Sequence, residues 1–248
     1  MRLRGKYFAV DINVPTHAAL MAIVKTSFEH RQGFALATIN LDHVTKLERE
    51  ESFRMAYHAQ DLVVADGNPI VWVSRLAKSP VELMPGSELV VPLSQLAADM
   101  GVSIALIGSS DESLRASGEA LKAAAPGLDI AYVHAPAYGF DPTGDAARDI
   151  LKNLDASGAQ LAFLALGAPK QELFAALGRS LAPEVGFASI GAGLDFLSGA
   201  QIRAPKWMRD LALEWLWRLA GNPRRLFGRY VQSALAFPSL AFHAFRHR

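Results

Sequence analysis

The chain has 248 residues, 51% of them hydrophobic and 20% charged, with a formal net charge of +1 and no cysteine. This profile predicts a folded protein with a sizeable core, one large domain or one domain plus an appendage, and argues against disorder. The lack of cysteine excludes disulfides, thiolate metal sites and cysteine nucleophiles, and it fits a reducing compartment.

The N-terminal "MRLRGKYFAVDINV" turns polar too soon for a secretory signal. Short apolar runs then recur: "YFAVDI" (7–12), "FALATI" (34–39), "DLVVA" (61–65), "VSIALIG" (102–108), "LDIAYV" (128–133), "QLAFLALG" (160–167) and "VGFASIG" (185–191). Stretches of helical length and composition separate most of them, such as "SELVVPLSQLAADMG", "SDESLRASGEALKAAAPG" and "PTGDAARDILKNLDASG". Strands alternating with helices predict an α/β fold, Rossmann-like, with a mostly parallel sheet covered on both faces. Turn chemistry agrees, since "SSDESL" offers Ser or Asp N-caps and "APG" and "ASG" end helices on glycine.

Beyond residue 202 the pattern changes. Residues 205–220, "PKWMRDLALEWLWRLA", predict one amphipathic helix with Met208, Leu211, Trp215 and Leu219 on its apolar face and Pro205 in its first turn. A second helix is expected to start near Pro223, and the remainder "YVQSALAFPSLAFHAFRHR", interrupted by Pro238, has the character of an interfacial segment. No apolar run is long enough to span a bilayer, which takes about eighteen residues. From Arg203 onward nine Lys or Arg face two acids, leaving sixteen basic and twenty-two acidic residues before it. A mildly acidic body (1–202) with a basic appendage (203–248) suggests an anionic partner: nucleic acid, phospholipid or a phosphorylated substrate.

In open parallel sheets ligands bind beyond the carboxyl ends of the strands. The polar and glycine residues collecting there are the candidate binding residues: Thr38 and Asn40, Asp66 and Gly67, Gly108 and Ser109, "GAPKQE" with Gly167, Lys170 and Gln171, and "GAG" with Gly193. Asp66 reads either as a cap of the helix begun by "NPIVWVSRL" or as a general base with a raised pKa at the mouth of an apolar pocket. "GAPKQE" reads either as a phosphate-binding strand-to-helix turn, with the Gln171 amide pointed at the ligand, or as an ordinary junction with Lys170 and Glu172 solvated. "GAG" lacks the spacing of a dinucleotide fingerprint. There is no Walker A sequence, GxSxG elbow, HExxH or Asp-x-Asp, so neither a metal nor another cofactor is expected. His43 is expected at the surface or the edge of the core.

Taken together, "TINLDHV", "QDLVVADGNPIVWVSRL", "PGSELV", "LALGAPKQE", "IGAGLDFLSGAQIRAPKWM" and "LEWLWRLAGNPRRLFGRY" resemble, in that order, the WecG/TagA/CpsF glycosyltransferases. The resemblance implies inverting, metal-independent transfer of a sugar from a UDP-sugar to a polyprenyl diphosphate-linked saccharide. It places the enzyme on the cytoplasmic face of the bacterial plasma membrane, in the assembly of teichoic acid, common antigen or exopolysaccharide. It further implies Asp66 as the base, Thr38 and Asn40 as pocket residues, Gln171 as a contact to donor or acceptor, and Arg218, Arg225 and Arg229 as arginines that the appendage adds to the pocket. The appendage is then expected on an anionic membrane surface, with no nucleic acid as partner. Where many relatives have an arginine before the "GT" or "GS" dipeptide, this chain has Leu83, which leaves Glu82 or Ser87 to make different contacts. The competing classes are an NAD-dependent oxidoreductase and a non-enzymatic membrane-docking scaffold. The sequence leaves the sugar and any homo-oligomeric assembly open.

Overall fold

The computed structural model describes residues 1–246; the side chains of Asp210 and Arg225 also lie outside the described residues. The chain opens with two short strands, β1 (Arg2–Arg4) and β2 (Ala9–Asp11), followed by α1 (His17–Glu29), whose N-cap Thr16 accepts the Ala19 amide. The first apolar run was expected in the main sheet, but β2 pairs antiparallel with β1 instead, Leu3 opposite Val10. A three-residue strand satisfies its backbone on the nearest local partner, and the preceding "RLR" supplies one.

The main sheet has six parallel strands in the order β4-β3-β8-β7-β5-β6. They are β3 (Ala35–Ile39), β4 (Leu62–Ala65), β5 (Ile104–Gly108), β6 (Ile130–His134), β7 (Leu161–Ala165) and β8 (Gly186–Ser189). Between β3 and β4 lie α2 (Leu41–Arg49) and α3 (Glu51–His58); between β4 and β5 lie α4 (Asn68–Leu76) and α5 (Gly86–Asp99). Then come α6 (Asp111–Ala124), α7 (Asp145–Ala156) and α8 (Lys170–Leu181), one before each later strand, and α9 (Gly193–Leu197) after β8. The predicted N-cap in "SSDESL" is Ser110, which accepts the Ser113 amide.

Side chains alternate across the strands, so the sheet has two cores. Leu36, Leu62, Val64, Leu106 and Phe163 face α1, α5 and α6, whereas Ala37, Val63, Ile107 and Leu164 face the opposite side with α2, α3, α7 and α8. The chain leaves β3 toward the β4 edge and β5 toward the β6 edge. The connections therefore diverge over the middle of the sheet, which opens the crevice where such folds bind ligands.

The appendage departs from expectation. Residues 205–220 form two helices, α10 (Lys206–Asp210) and α11 (Glu214–Gly221), because Ala212 adopts a positive φ of 60° and Leu213 N–H returns to the Met208 carbonyl. The predicted stripe is thereby split: Met208 is buried, while Leu211 and Trp215 are exposed. The last helix, α12 (Pro223–Arg246), starts where predicted and continues through Pro238. It packs on α2, α4 and β1, with Leu240 and Ala244 joining the core. No helix among the described residues is long and apolar enough to cross a membrane.

Candidate active site

Asp66 extends the β4 ladder by one bond, its N–H donating to the Ile39 carbonyl at 2.8 Å. Gly67 then takes φ +99°, a conformation side chains resist, and turns the chain into α4. Gly67 is the N-cap of α4 and no side chain caps it, so the capping role considered for Asp66 is not what its carboxyl does. The contact it does make is from Asn40, whose Nδ2 donates at 3.4 Å. Asn40 is oriented for this because it is the N-cap of α2: its Oδ1 accepts the His43 amide, which leaves the NH2 end for Asp66. Asp66 keeps partial exposure at the rim, yet the protein packed around it pushes its pKa up from 3.8 to about 6. The Asn40 hydrogen bond and the Arg218 charge oppose that rise, and Glu214 and Glu88 add to it. The result is a carboxyl that is ionised at neutral pH and basic enough to accept a proton.

The segment after α4 runs along the same rim. Leu83 bridges Ala65 in parallel, the Met84 N–H donates to the Ala65 carbonyl, and Leu83 itself is exposed. Glu82 accepts the His17 amide at 2.7 Å, so it ties the rim to α1. Gly86, the first residue of α5, lets that helix close on β8, since a Cβ there would lie 2.9 Å from Ile190 Cα. Two residues on, Glu88 Oε1 accepts from Arg203 at 2.7 Å and from Arg209 at 3.2 Å. Arg203 and Arg218 both lie over the Phe196 ring, at 5.9 and 5.7 Å. The appendage is thus fastened over the end of the sheet where Asp66 sits.

The other predicted residues divide. Gly167 takes φ +70° with open space where a Cβ would stand, as an approach by ligand requires. Gly108 and Gly193 serve packing instead: a Cβ would lie 2.5 Å from the Ala165 backbone at the first and 2.9 Å from Val90 at the second. Thr38 is buried and its hydroxyl donates across the sheet to the Ser189 carbonyl at 3.2 Å. Lys170 is held by the Phe140 carbonyl at 2.7 Å rather than solvated. Gln171, expected to point its amide at a ligand, is buried; its Nε2 donates to Glu172 and its Oε1 accepts the Gly191 N–H at 3.1 Å. Arg218 is the predicted arginine whose charge bears on Asp66. Arg229 makes two bonds to Asp42, at 3.0 and 2.7 Å, and joins α12 to α2. Burial opposes ionisation of Asp42, but the bonds from Arg229 and Lys46 outweigh it and hold the pKa at about 2. The Arg225 side chain is outside the described residues.

Two expectations are corrected. Glu172 is completely buried, and burial raises its pKa to about 7. His43 is also buried, bonded through Nδ1 to the Tyr57 hydroxyl at 2.6 Å, and burial lowers its pKa to about 3. Sequence reasoning missed Glu88, Arg203, Arg209 and Asp195. The last gathers hydroxyls from Ser109 and Ser113 and the Gln201 amide, and so fixes α9 against α6.

A Rossmann-like sheet with a basic carboxyl at its rim and a cationic helical cover places the protein among α/β enzymes that act on ligands in the strand-end crevice. The glycosyl transferase WecG/TagA/CpsF family model matches residues 6–248, nearly the whole chain, and the chain belongs to that family. It is a glycosyltransferase of cell-surface polysaccharide biosynthesis.

Proposed function

We propose that this glycosyltransferase moves a sugar from a UDP-sugar to a polyprenyl diphosphate-linked saccharide, with inversion, on the cytoplasmic face of the plasma membrane. The observation that carries the reading is the Asp66 carboxyl, raised to about 6 and supported by Asn40 at the carboxyl end of β4. In the reaction Asp66 takes the proton of the acceptor hydroxyl. The hydroxyl oxygen forms its bond to the anomeric carbon as the bond to UDP breaks on the opposite face, and the electron pair leaves on the UDP phosphate oxygen. Charge developing there needs fixed donors, and Arg218 is suited to it because a guanidinium binds two oxygens and does not titrate away. The open backbone at Gly167 leaves room for the nucleotide. No step in this scheme calls for a metal or another cofactor.

We divide the chain into a catalytic core, 1–202, and an appendage, 203–248, that rests on anionic lipid. Support comes from the outer face of α10 to α12, where Trp207, Leu211, Phe227, Leu235 and Phe242 stand exposed, Leu235 to 75%. Exposed Arg224 and Arg246 lie on the same helical appendage. The test is a panel of UDP-sugars with a short-chain lipid diphosphate acceptor, reading UDP release with and without acceptor. One donor turned over by the wild type, and not by Asp66→Asn, is expected. Acceptor-independent release, or turnover of no donor, refutes the proposal.

A further inference from the structure

Behind the rim lies a buried polar cluster that the transfer scheme does not use. It links α8, α2 and α3. Gln171 Nε2 donates to Glu172 Oε1 at 2.9 Å, and the His43 ring sits 4.0 Å from the same oxygen. Beyond the ring is the Tyr57 hydroxyl, while Gln60 bonds the Glu172 backbone carbonyl at 3.2 Å. Among the described residues Glu172 Oε2 has no hydrogen-bond partner, and the residue is 0% exposed.

Such a carboxyl is costly to keep. His43 is neutral under ordinary conditions, so it offers no counter-charge at 4.0 Å. Lys46 acts on Glu172 only from a distance, being paired with Asp42, whose own charge opposes it. Tyr57 is likewise held protonated by burial and by the Glu172 and Asp66 charges. Uncompensated carboxylates in an interior cost several kcal/mol, and an apolar residue of similar size would be cheaper.

What the carboxylate does is set the direction of a neighbour. A carboxamide has one accepting and one donating end, and its neighbours decide which way it points. An ionised Glu172 only accepts, so the Gln171 NH2 must face it. The Gln171 oxygen is then left facing the Gly191 N–H, the bond observed at 3.1 Å. With the amide reversed, the NH2 would confront that N–H, donor against donor. Gly191, at φ +58°, opens the loop after β8, the neighbour of the strand that carries Asn40. The turn at 191–192 therefore borders the same crevice as Asp66.

We infer that Glu172 is a positioning residue for the transfer reaction: through the Gln171 amide it locks the Gly191 N–H, and with it the turn that borders the strand-end crevice. Protonating Glu172 weakens the lock, because a carboxylic acid can donate to the Gln171 oxygen as well as accept from its NH2, which leaves the Gly191 N–H alone to select the amide orientation. The lock is then firm above about pH 7 and weakens below it. The kinetic part of this inference rests on the proposed transfer reaction; the structural part does not.

The experiment follows Gly191 amide hydrogen exchange in the full chain, alongside UDP-sugar turnover, for wild type, Glu172→Leu, Glu172→Gln, Gln171→Ala and the Gln171→Ala/Glu172→Leu double variant. Loss of one hydrogen bond's protection predicts about three- to tenfold faster exchange at Gly191 in Glu172→Leu, with the amides of β7 and β8 unchanged. In Glu172→Gln, Gly191 protection is expected to lose its dependence on pH between 6 and 8. The double variant should turn over no more slowly than the slower single variant, since both break one chain of contacts. If Glu172→Leu fails to fold, Glu172→Gln decides. Wild-type Gly191 protection and its pH dependence retained in Glu172→Gln overturn the inference, as does additive loss in the double variant. Faster Gly191 exchange with no turnover by any protein sinks the transfer reading and leaves the loop assignment standing; turnover with unchanged exchange does the reverse.

Discussion

Replacing Asp66 by asparagine is expected to abolish turnover and to stabilise the protein, and both effects follow from the same carboxyl. Its pKa rises from 3.8 free to about 6 folded, chiefly through burial. Every tenfold gain in proton affinity corresponds to about 1.4 kcal/mol, so ionised Asp66 costs the fold about 3 kcal/mol at most. The sign is fixed by linkage: the folded state holds the proton more tightly, so the penalty is absent below about pH 3.8 and complete above about pH 6. Asparagine keeps the shape and an acceptor for Asn40 but carries no charge. In thermal unfolding at pH 8 the variant should therefore melt up to about 10 °C higher than wild type, with roughly half that gain at pH 5. Loss of a general base costs about 10²- to 10⁴-fold in rate, or roughly 3–5 kcal/mol in the barrier. Wild-type kcat/KM should fall about tenfold per pH unit below 6. A variant that retains more than about a tenth of the rate, or that is no more stable than wild type at pH 8, refutes the assignment of Asp66 as a desolvated base.

Three further perturbations test the surroundings. Asp42→Asn removes the anion that Arg229 and Lys46 share; because the Arg229 pair is half exposed, the loss should be about 1 kcal/mol, read as faster exchange and proteolysis confined to α12. Unchanged protection of α12 would show that the ion pair does not fasten the helix. Glu88→Gln takes away a charge that raises the Asp66 pKa, so the acid limb of the pH–rate profile should move to lower pH, and an upward or absent movement contradicts this electrostatic picture. Leu235→Asp with Phe242→Asp places two charges on the exposed outer face of α12; binding to vesicles containing anionic phospholipid should drop while Tm stays within about 2 °C, and undiminished binding rules out that face as the lipid contact.

Much of the scaffold was legible in the chain. The runs that form the sheet are short and apolar, and several helices begin on a side-chain cap, as those at Asn40 and Ser110 do, so local preference and final structure agree there. Asp66 was legible as well, because carboxyl ends of parallel strands are where side chains escape the sheet. The break at Ala212 was not: the apolar stripe across 205–220 has helical period throughout, and the turn arises where the appendage crosses the core through Arg203, Arg209 and Glu88. The burial of Glu172 was equally hidden, since "KQE" at a helix start has the composition of a solvated turn.

Periodicity and turn chemistry act within a dozen residues, and on that scale the sequence by itself determined the parallel α/β order, the candidate rim and the basic composition of the tail. Only tertiary structure decided which charges meet. Asp42 finds Arg229 across 187 positions, Glu88 finds Arg203 across 115, and Asp195 finds Ser109 across 86. The same packing raises Asp66 into the range of a base. Desolvation and ion pairing depend on what surrounds a group in space, and no local pattern along the chain records it.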